Sequence, residues 1–345
     1  MVNIFLATPG LGNFLIIGMI IGIESSCDES GLSVFDRVAG VLWNDVYSQI
    51  DLHAEYGGVV PELAVREHIK TFPILLSRLI RNFNKDDIDS IAVTVAPGLP
   101  GCLAIGQAVA HALAIIWNKP IKQINHLDGH IFSPFIEVHK QYGDKFPEMF
   151  HSLLPHLSLL VSGGNTRLQI IDSFGKLHVL ADTQDDAAGE AFDKGAKLLG
   201  LPYPGGHLIE KFARLGNPKR YDFPRAYRGT SELKFSFSGL KTSLRYFLEN
   251  ESEENFERNK CDICASYQEA IIDALVEKVE LCLTDSPKSV GVCGGVSNNQ
   301  VLHDRLFEVC SRHEIPLLVP DKAYTGDNAA MIAFAAYIEE VLNKD

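Results

Sequence analysis

Short runs of apolar, often β-branched residues alternate with stretches of helical periodicity along this chain. Glycine-rich turns separate the runs, a pattern typical of an α/β fold. Residues 19–35 and residues 157–171 each predict a strand, a small polar turn and a second strand, and residues 289–299 predict a strand that opens through glycines into a helix. A hairpin near the start of each half indicates two lobes with similar folds, although the halves share no residue-level repeat.

The same pattern gives the expected boundaries. We expect an N-terminal lobe over residues 19–137, a linker without clear periodicity over residues 138–156, and a C-terminal lobe over residues 157–345. In the second lobe, residues 185–200 predict a helix with an acidic N-terminus.

Residues 1–18 are rich in apolar residues and glycine, and we expect them to be a loose N-terminal extension with Met19 as the functional start. No Lys or Arg precedes Arg37, which disfavours a secretory signal and an arginine-rich mitochondrial transit peptide. The run is also short and broken by Pro9 and Gly12, which disfavours a membrane anchor. We therefore expect a cytoplasmic protein without membrane contact, and the mitochondrial matrix is the disfavoured alternative.

The composition is that of a globular enzyme with room for two medium cores: 345 residues, 46% hydrophobic and 22% charged. A net charge of -13 argues against general coating of nucleic acid, so any such contact must be local. Seven cysteines fit a reducing compartment better than a disulfide framework. The CxxC of Cys261 and Cys264 has no second pair and is interpreted as two thiols on one helix.

A metal site is suggested by His126 and His130, which are four residues apart and would share one helix face. The spacing alone is a weak signal in a chain with 12 histidines. Asp327 precedes an apolar helix, where the simplest interpretation is an N-cap. Two imidazoles and one carboxylate would nevertheless make a three-ligand site with open positions, as catalytic metals have.

Three glycine turns could cradle a phosphate, because residues without a Cβ let backbone N–H groups approach an anion. They begin at Ser162, Tyr203 and Cys293. Each could also be a plain tight turn. Asp185 and Asp193 would share one helix face and could contact ribose hydroxyls or be merely solvated. The segment 236–243 could place hydroxyls and a lysine on phosphate, or be a capped helix start.

Residues 211–245 form a basic insertion in this acidic chain, with nine basic side chains against two acidic ones, a net charge of +7. Aromatic residues interleave with them, a combination that suits phosphate contacts and stacking on the bases of a folded RNA; they include Tyr221, Phe223, Tyr227, Phe235 and Phe237. A solvated basic face is the alternative. The candidate tRNA contacts in this segment are Lys219, Arg220, Arg225, Arg228, Lys234 and Lys241.

Several longer strings carry a family resemblance over nearly the whole chain, from Met19 to about Ala336. They are Gly22-Ile-Glu-Ser-Ser-Cys-Asp-Glu-Ser, His53-Ala-Glu-Tyr-Gly-Gly-Val-Val-Pro-Glu-Leu-Ala, Asn125-His-Leu-Asp-Gly-His, Leu160-Val-Ser-Gly-Gly, Asp185-Asp-Ala-Ala-Gly-Glu-Ala-Phe-Asp-Lys, Tyr203-Pro-Gly-Gly, Phe235-Ser-Phe-Ser-Gly-Leu-Lys-Thr, Gly294-Gly-Val-Ser-Asn-Asn and Asp327-Asn. Together they resemble the tRNA N6-adenosine threonylcarbamoyltransferase family (TsaD) of bacteria and mitochondria.

The resemblance implies an actin and Hsp70-like (ASKHA) fold of two lobes with a nucleotide cleft between them. It implies one divalent metal per subunit on His126, His130 and Asp327, with Fe²⁺ favoured and Zn²⁺ the alternative. The donor is threonylcarbamoyl-AMP, and the acceptor is the adenosine 3′ of the anticodon, at position 37, in tRNAs that read codons beginning with A. A bacterial member would work with a TsaB-like scaffold subunit and a TsaE-like ATPase. The implied donor-binding residues are Leu160, Val161, Ser162, Gly163, Gly164, Asp193, Gly206 and Asn299.

The chain departs from the family pattern at Asn165, where histidine is usual, and at His207, where proline is usual. Asparagine can hydrogen-bond but cannot titrate, so it cannot act as an imidazole acid or base at that position. Asp28 or Glu29, on the first turn, could accept the proton of the attacking amine.

Two alternatives share the fold: a kinase or ATPase that moves a phosphoryl group, and a non-catalytic scaffold subunit. A kinase does not need the HxxxH, and a shortened scaffold would be expected to lack the metal triad. Metalloprotease activity is disfavoured because Leu127 occupies the place of the glutamate in HExxH.

Overall fold

The computed structural model describes residues 18–285 and 287–343. Of the expected N-terminal extension, residues 1–17 lie outside the described residues. The elements of the first half are β1 (Met19–Glu24), β2 (Glu29–Asp36), β3 (Gly40–Ser48), α1 (Ile50–Ala54), α2 (Pro61–Asn82), β4 (Ile88–Ala96), α3 (Pro100–Trp117), β5 (Ile121–Asn125), α4 (His126–Phe132), α5 (Phe135–Tyr142) and α6 (Phe146–Ser152). Those of the second half are β6 (His156–Val161), β7 (Thr166–Ile171), β8 (Leu177–Asp182), α7 (Ala188–Leu198), α8 (Gly206–Ala213), α9 (Ser238–Glu249), α10 (Glu253–Cys282), β9 (Ser289–Cys293), α11 (Gln300–Arg312), β10 (Leu317–Leu318) and α12 (Ala329–Leu342).

The first compact unit joins residues up to 151 with those from 320 onward. Its sheet has the order β3-β2-β1-β4-β5, in which β1, β2 and β3 form an antiparallel meander and β4 and β5 run parallel to β1. Helix α12 packs against β1 and β2. A Cβ on Gly22 would lie 2.1 Å from the carbonyl oxygen of Ala329, so a glycine there lets the helix approach the sheet closely.

The second unit comprises residues 152–319, and its sheet has the order β10-β9-β6-β7-β8. Strands β6, β7 and β8 form an antiparallel meander, and β9 and β10 are parallel to β6. The long helix α10 packs against α8 and α11 and supplies buried side chains such as Tyr267 and Leu275 to the core.

Both units therefore share one topology, a meander of three strands extended by two parallel strands on the side of the first strand. The predicted α/β class and the two similarly folded lobes are confirmed.

The boundaries differ from those expected. Most of the segment 138–156 is helical, in α5 and α6, and Phe146 and Phe150 are fully buried there, so it is not a linker. The last part of the chain belongs to the first unit, because the apolar helix α12 needs the sheet of that unit to cover its side chains.

Two further expectations bear on this fold. All seven cysteines lie in the described part of the chain and none of them forms a disulfide bond, and Cys261 and Cys264 lie on one helix, α10. Helix α3 meets the length and composition of a membrane span, a criterion that core helices also meet, and it packs against β4 and α2.

Candidate functional site

Three side chains of the first unit converge on one point. Helix α4 begins at His126, and the Asn125 side chain caps it by accepting from the backbone N–H of Leu127 at 2.8 Å. His126 and His130 then lie one turn apart on the same helix face, as predicted. Nε2 of His130 lies 3.0 Å and Nε2 of His126 lies 3.6 Å from Oδ1 of Asp327. A ligand atom from each residue lies within 4.8 Å of the others, which is compact enough to hold one metal ion.

Asp327 is not the N-cap that its position before an apolar helix suggested. Asn328 caps α12 instead, and its side chain accepts from the N–H of Met331 at 3.0 Å. The carboxylate of Asp327 is thereby left for the two histidines. Burial opposes the ionisation of Asp327, but the charge of His126 and the hydrogen bond from His130 outweigh it and hold its pKa well below the usual range.

Glu24 lies behind His126 and was not identified from the sequence. It is fully buried, and its Oε2 accepts from Thr94 at 2.6 Å and from Nδ1 of His126 at 3.1 Å. Burial would raise the pKa of Glu24, but attraction to His126 and the hydrogen bond between them lower it. Glu24 is therefore ionised, and it fixes the tautomer in which His126 carries hydrogen on Nδ1. Its position at the end of a buried strand, directly before a polar turn, is the signal that could have revealed it.

This arrangement fits a divalent cation. With hydrogen on Nδ1, His126 directs the lone pair of Nε2 toward Asp327, so two acceptors face each other and need a positive charge between them. Without an ion, a proton on Nε2 supplies this charge: burial alone would lower the pKa of His126, but the carboxylates of Asp327 and Glu24 overcome it and raise the pKa to about 9. Two imidazoles and a carboxylate suit iron or zinc.

Asp28 and Glu29 lie at the turn from β1 into β2, in the same unit. The hydroxyl of Ser48 donates to Oε1 of Glu29 at 3.0 Å. Burial, followed by the neighbouring charges of Asp327 and Asp28, raises the pKa of Glu29 well above its usual value. The two acids are therefore not equivalent, because Glu29 is biased toward its neutral form.

In the second unit, the predicted donor-binding residues 160–164 comprise the end of β6 and the glycines of the turn that follows it. Leu160 and Val161 are fully buried, so they could reach a ligand only through their backbone. Gly163 and Gly164 are exposed, and a Cβ on either would meet no described atom within 4 Å. A Cβ on Gly294, which has φ of +88°, would lie 2.3 Å from the carbonyl oxygen of Val161. The glycine turn after β9 therefore packs directly on the end of β6.

Asp193 and Asn299 have structural partners in addition to their predicted role. Oδ1 of Asp193 accepts from the N–H groups of Gly205 at 2.7 Å and Gly206 at 3.3 Å, which fixes the start of α8. Burial raises the pKa of Asp193, and these N–H groups offset it in part. Asn299 caps α11 through Oδ1 and donates from Nδ2 to Oε1 of Gln268 at 2.8 Å. Asp193 therefore lies beside Gly205 and Gly206, and Asn299 lies at the end of the turn that follows Gly294.

Asp185 is not on the helix where the sequence placed it, since α7 begins at Ala188. Its carboxylate instead accepts from the hydroxyls of Ser236 and Ser238, both at 2.6 Å, and from the N–H groups of Phe237 and Ser238. Asp185 and Asp193 therefore share no helix face. Two of the hydroxyls that the sequence placed on phosphate, those of Ser236 and Ser238, are therefore directed to Asp185.

The basic insertion is less open to RNA than expected. Phe223, Phe235 and Phe237 are buried in the core and unavailable for stacking on bases. The Arg225 side chain is 8% exposed and is paired with Asp273, so it is a structural residue and not a candidate tRNA contact.

The remaining basic candidates differ in their surroundings. Lys219, Arg220 and Arg228 are exposed, and Arg220 lies over the ring of Tyr221. Lys234 pairs with Glu232 at 2.9 Å. Lys241 lies 3.5 Å from Asp186.

Comparisons with known proteins agree with this geometry. The family model described as tRNA N6-adenosine threonylcarbamoyltransferase matches residues 40–334. Proteins of that name from Clostridium botulinum (strain Hall) and Chromobacterium violaceum are 41% and 42% identical to this chain. The first match covers 93% of this chain and 92% of the relative, and the second covers 92% of each. Among solved structures, T. kodakarensis HypF matches with a TM-score of 0.60 at 15% identity, over 94% of this chain and 48% of its own. Component A of the Acidaminococcus fermentans (R)-2-hydroxyglutaryl-CoA dehydratase matches with a TM-score of 0.52 at 13% identity, over 93% and 98%. These two likenesses concern the fold alone and confirm its ASKHA type.

Proposed function

Because this chain belongs to the tRNA N6-adenosine threonylcarbamoyltransferase family and forms threonylcarbamoyladenosine in tRNA, we propose that it does so with a divalent metal ion on His126, His130 and Asp327. The metal assignment rests on the convergence of the Nε2 atoms of His126 and His130 on one carboxylate oxygen of Asp327. Glu24 supports it by accepting the hydrogen of His126 Nδ1. Iron is our first choice and zinc the alternative. When bound, the ion supplies a Lewis acid that polarises an oxygen of the substrate.

The reaction forms a bond from N6 of adenosine to the carbamoyl carbon of threonylcarbamoyl-AMP and breaks the bond from that carbon to the phosphate oxygen of AMP. The attacking amine must also lose one proton. We assign this proton to Asp28, because the surroundings of Glu29 bias it toward its neutral form, and a neutral carboxyl group cannot serve as the base. Asp28→Asn should then slow the single-turnover rate more than Glu29→Gln does, and the reverse order would refute the assignment.

We assign the nucleotide part of the donor to the glycine turns of the second unit. The space around Gly163 and Gly164 has room for an anion, and the N-terminus of α8 at Gly206 adds a favourable dipole. Asp193 and Asn299 would orient the nucleoside through the lone pairs and N–H groups that their structural bonds leave.

We propose that the acceptor is the adenosine 3′ of the anticodon in tRNAs reading codons that begin with A. The exposed Lys219, Arg220 and Arg228 are the best phosphate contacts in the basic insertion. Lys234 and Lys241, each beside a carboxylate, would have to exchange partners first.

Reconstitution tests the proposal as a whole. The chain is incubated with unmodified tRNA, threonine, bicarbonate, ATP and its TsaB-like and TsaE-like partners, and threonylcarbamoyladenosine is measured by nucleoside mass spectrometry. Asp327→Ala should abolish both product and stoichiometric metal, whereas His303→Ala, which removes a partly exposed histidine of the second unit, should preserve both. Full activity of metal-free Asp327→Ala would refute the metal proposal.

A further inference from the structure

Residues 25–30 span the turn from β1 to β2 and the first residues of β2, and they hold several groups next to the candidate metal centre. Ser26 lies 3.2 Å from Nδ1 of His126, and the two candidate acids follow it. Neighbouring backbone holds parts of this turn. The N–H of Leu99 donates to the carbonyl of Ser26 at 2.8 Å, and that of Gln49 donates to the carbonyl of Asp28 at 3.0 Å. The carbonyl of Cys27, between these two, is held by a side chain.

That side chain is His68, a fully buried residue of α2. Its Nε2 lies 3.0 Å from the carbonyl oxygen of Cys27, and its Nδ1 lies 2.7 Å from Oγ of Ser30. A carbonyl oxygen can only accept, so Nε2 carries the hydrogen and Nδ1 accepts from the hydroxyl of Ser30. Burial lowers the pKa of His68, which favours this neutral form. One imidazole thus binds both the middle and the end of the turn.

The two bonds act on unequal parts of the turn. Ser30 already lies in β2, where its backbone pairs with Tyr47 of β3. Cys27 lies outside both strands, so its carbonyl depends more on the histidine. We propose that His68 is a positioning residue for threonylcarbamoyl transfer, and that its bond to Cys27 sets the orientation of Asp28. This inference rests on the proposed role of Asp28 as the base.

Two variants at position 68 separate the bonds. A glutamine amide reaches the place of Nε2 and keeps a donor for Cys27, whereas an asparagine amide reaches only the place of Nδ1 and keeps an acceptor for Ser30. We expect the single-turnover rate constant to fall about 10- to 100-fold in His68→Asn, since small misplacements of reacting groups cost rates of this order. His68→Gln should stay within about threefold of wild type. Ser30→Ala, which removes the other bond, should resemble His68→Gln.

The amplitude of the single turnover distinguishes positioning from folding. A misfolded fraction lowers the amplitude, whereas a misplaced turn lowers the rate constant. His139→Asn is the matched control, because Nε2 of buried His139 also bonds a backbone carbonyl at 3.0 Å, that of Arg37. It should lower stability and amplitude but leave the rate constant unchanged.

Equal rate constants for His68→Asn and His68→Gln would overturn the proposal. If His68→Asn does not fold, a more than tenfold loss of rate in either His68→Gln or Ser30→Ala would also overturn it. The assignment of Asp28 as the base is tested separately, and full activity of Asp28→Asn would refute it.

Discussion

His156 should make the second unit lose stability in mild acid. This residue opens β6 and is fully buried beside Ser289, its register partner at the start of β9. The hydroxyl of Ser289 donates to the carbonyl of Leu153 at 2.7 Å, so Nδ1 of His156 must donate to that hydroxyl, also at 2.7 Å. Burial lowers the pKa of His156 to about 3.

The size of the effect follows from proton linkage. In the unfolded chain the pKa of histidine is about 6.5, so His156 is protonated there below that pH. In the folded state it stays neutral until about pH 3. Above pH 7 the buried neutral imidazole therefore does not reduce the free energy of unfolding. Between the two pKa values, that free energy falls by about 1.4 kcal/mol for each pH unit of acidification. From pH 7 to pH 5, His156 alone should remove about 2 kcal/mol from the free energy of unfolding.

His156→Asn keeps a donor for Ser289 but cannot titrate, so it should show a weaker pH dependence even if it is less stable at pH 7. Unfolding in urea is monitored at pH 7 and at pH 5 through the hydrogen exchange of peptides that cover β6 and β9. Both tryptophans, Trp43 and Trp117, lie in the first unit, so their fluorescence is an internal control that the variant should leave unchanged. If wild type and variant lose the same free energy between pH 7 and pH 5, the buried neutral histidine is not the cause.

Three further predictions follow from contacts at the site. Glu24→Gln should weaken Zn²⁺ binding roughly 10- to 100-fold in calorimetric titration, as loss of a carboxylate behind a histidine ligand does, and unchanged affinity would contradict its role. Gly294→Ala should cost about 1–3 kcal/mol of unfolding free energy in urea, because its φ is +88° and a Cβ would meet backbone, whereas Gly295→Ala, in space free of described atoms, should cost less than about 0.5 kcal/mol. Arg228→Ala should reduce the slope of the logarithm of the tRNA binding constant against the logarithm of the salt concentration by about 1. Arg225→Ala should instead lower the unfolding midpoint and leave that slope unchanged. Equal slope changes in the two variants would refute the assignment of Arg228 to tRNA and of Arg225 to the fold.

The local pattern of the sequence was sufficient for the hairpin that opens each sheet and for half of the metal centre. Strand–turn–strand runs predicted the first two strands of each meander, and the spacing of His126 and His130 predicted their shared helix face, since both depend on neighbours within a few residues. The placement of α12 in the first unit was missed because the apolar pattern of a helix does not determine which of two sheets it packs against. Arg225 was misinterpreted for the same reason: its partner Asp273 is 48 residues away.

Asp185 shows what kind of signal can recover such long-range contacts. An acid just before a helix is ordinarily a first-turn acid of that helix, and this interpretation put Asp185 on α7. Its actual partner is the N-terminus of α9, whose N-cap is Phe237, a side chain that accepts no hydrogen bond. Unpaired N–H groups at a helix start need an acceptor, so a predicted helix that opens without a suitable cap requires one from elsewhere in the fold. A search for that acceptor would select an aspartate that lies just before another helix and is not its N-cap, as Asp185 does before α7.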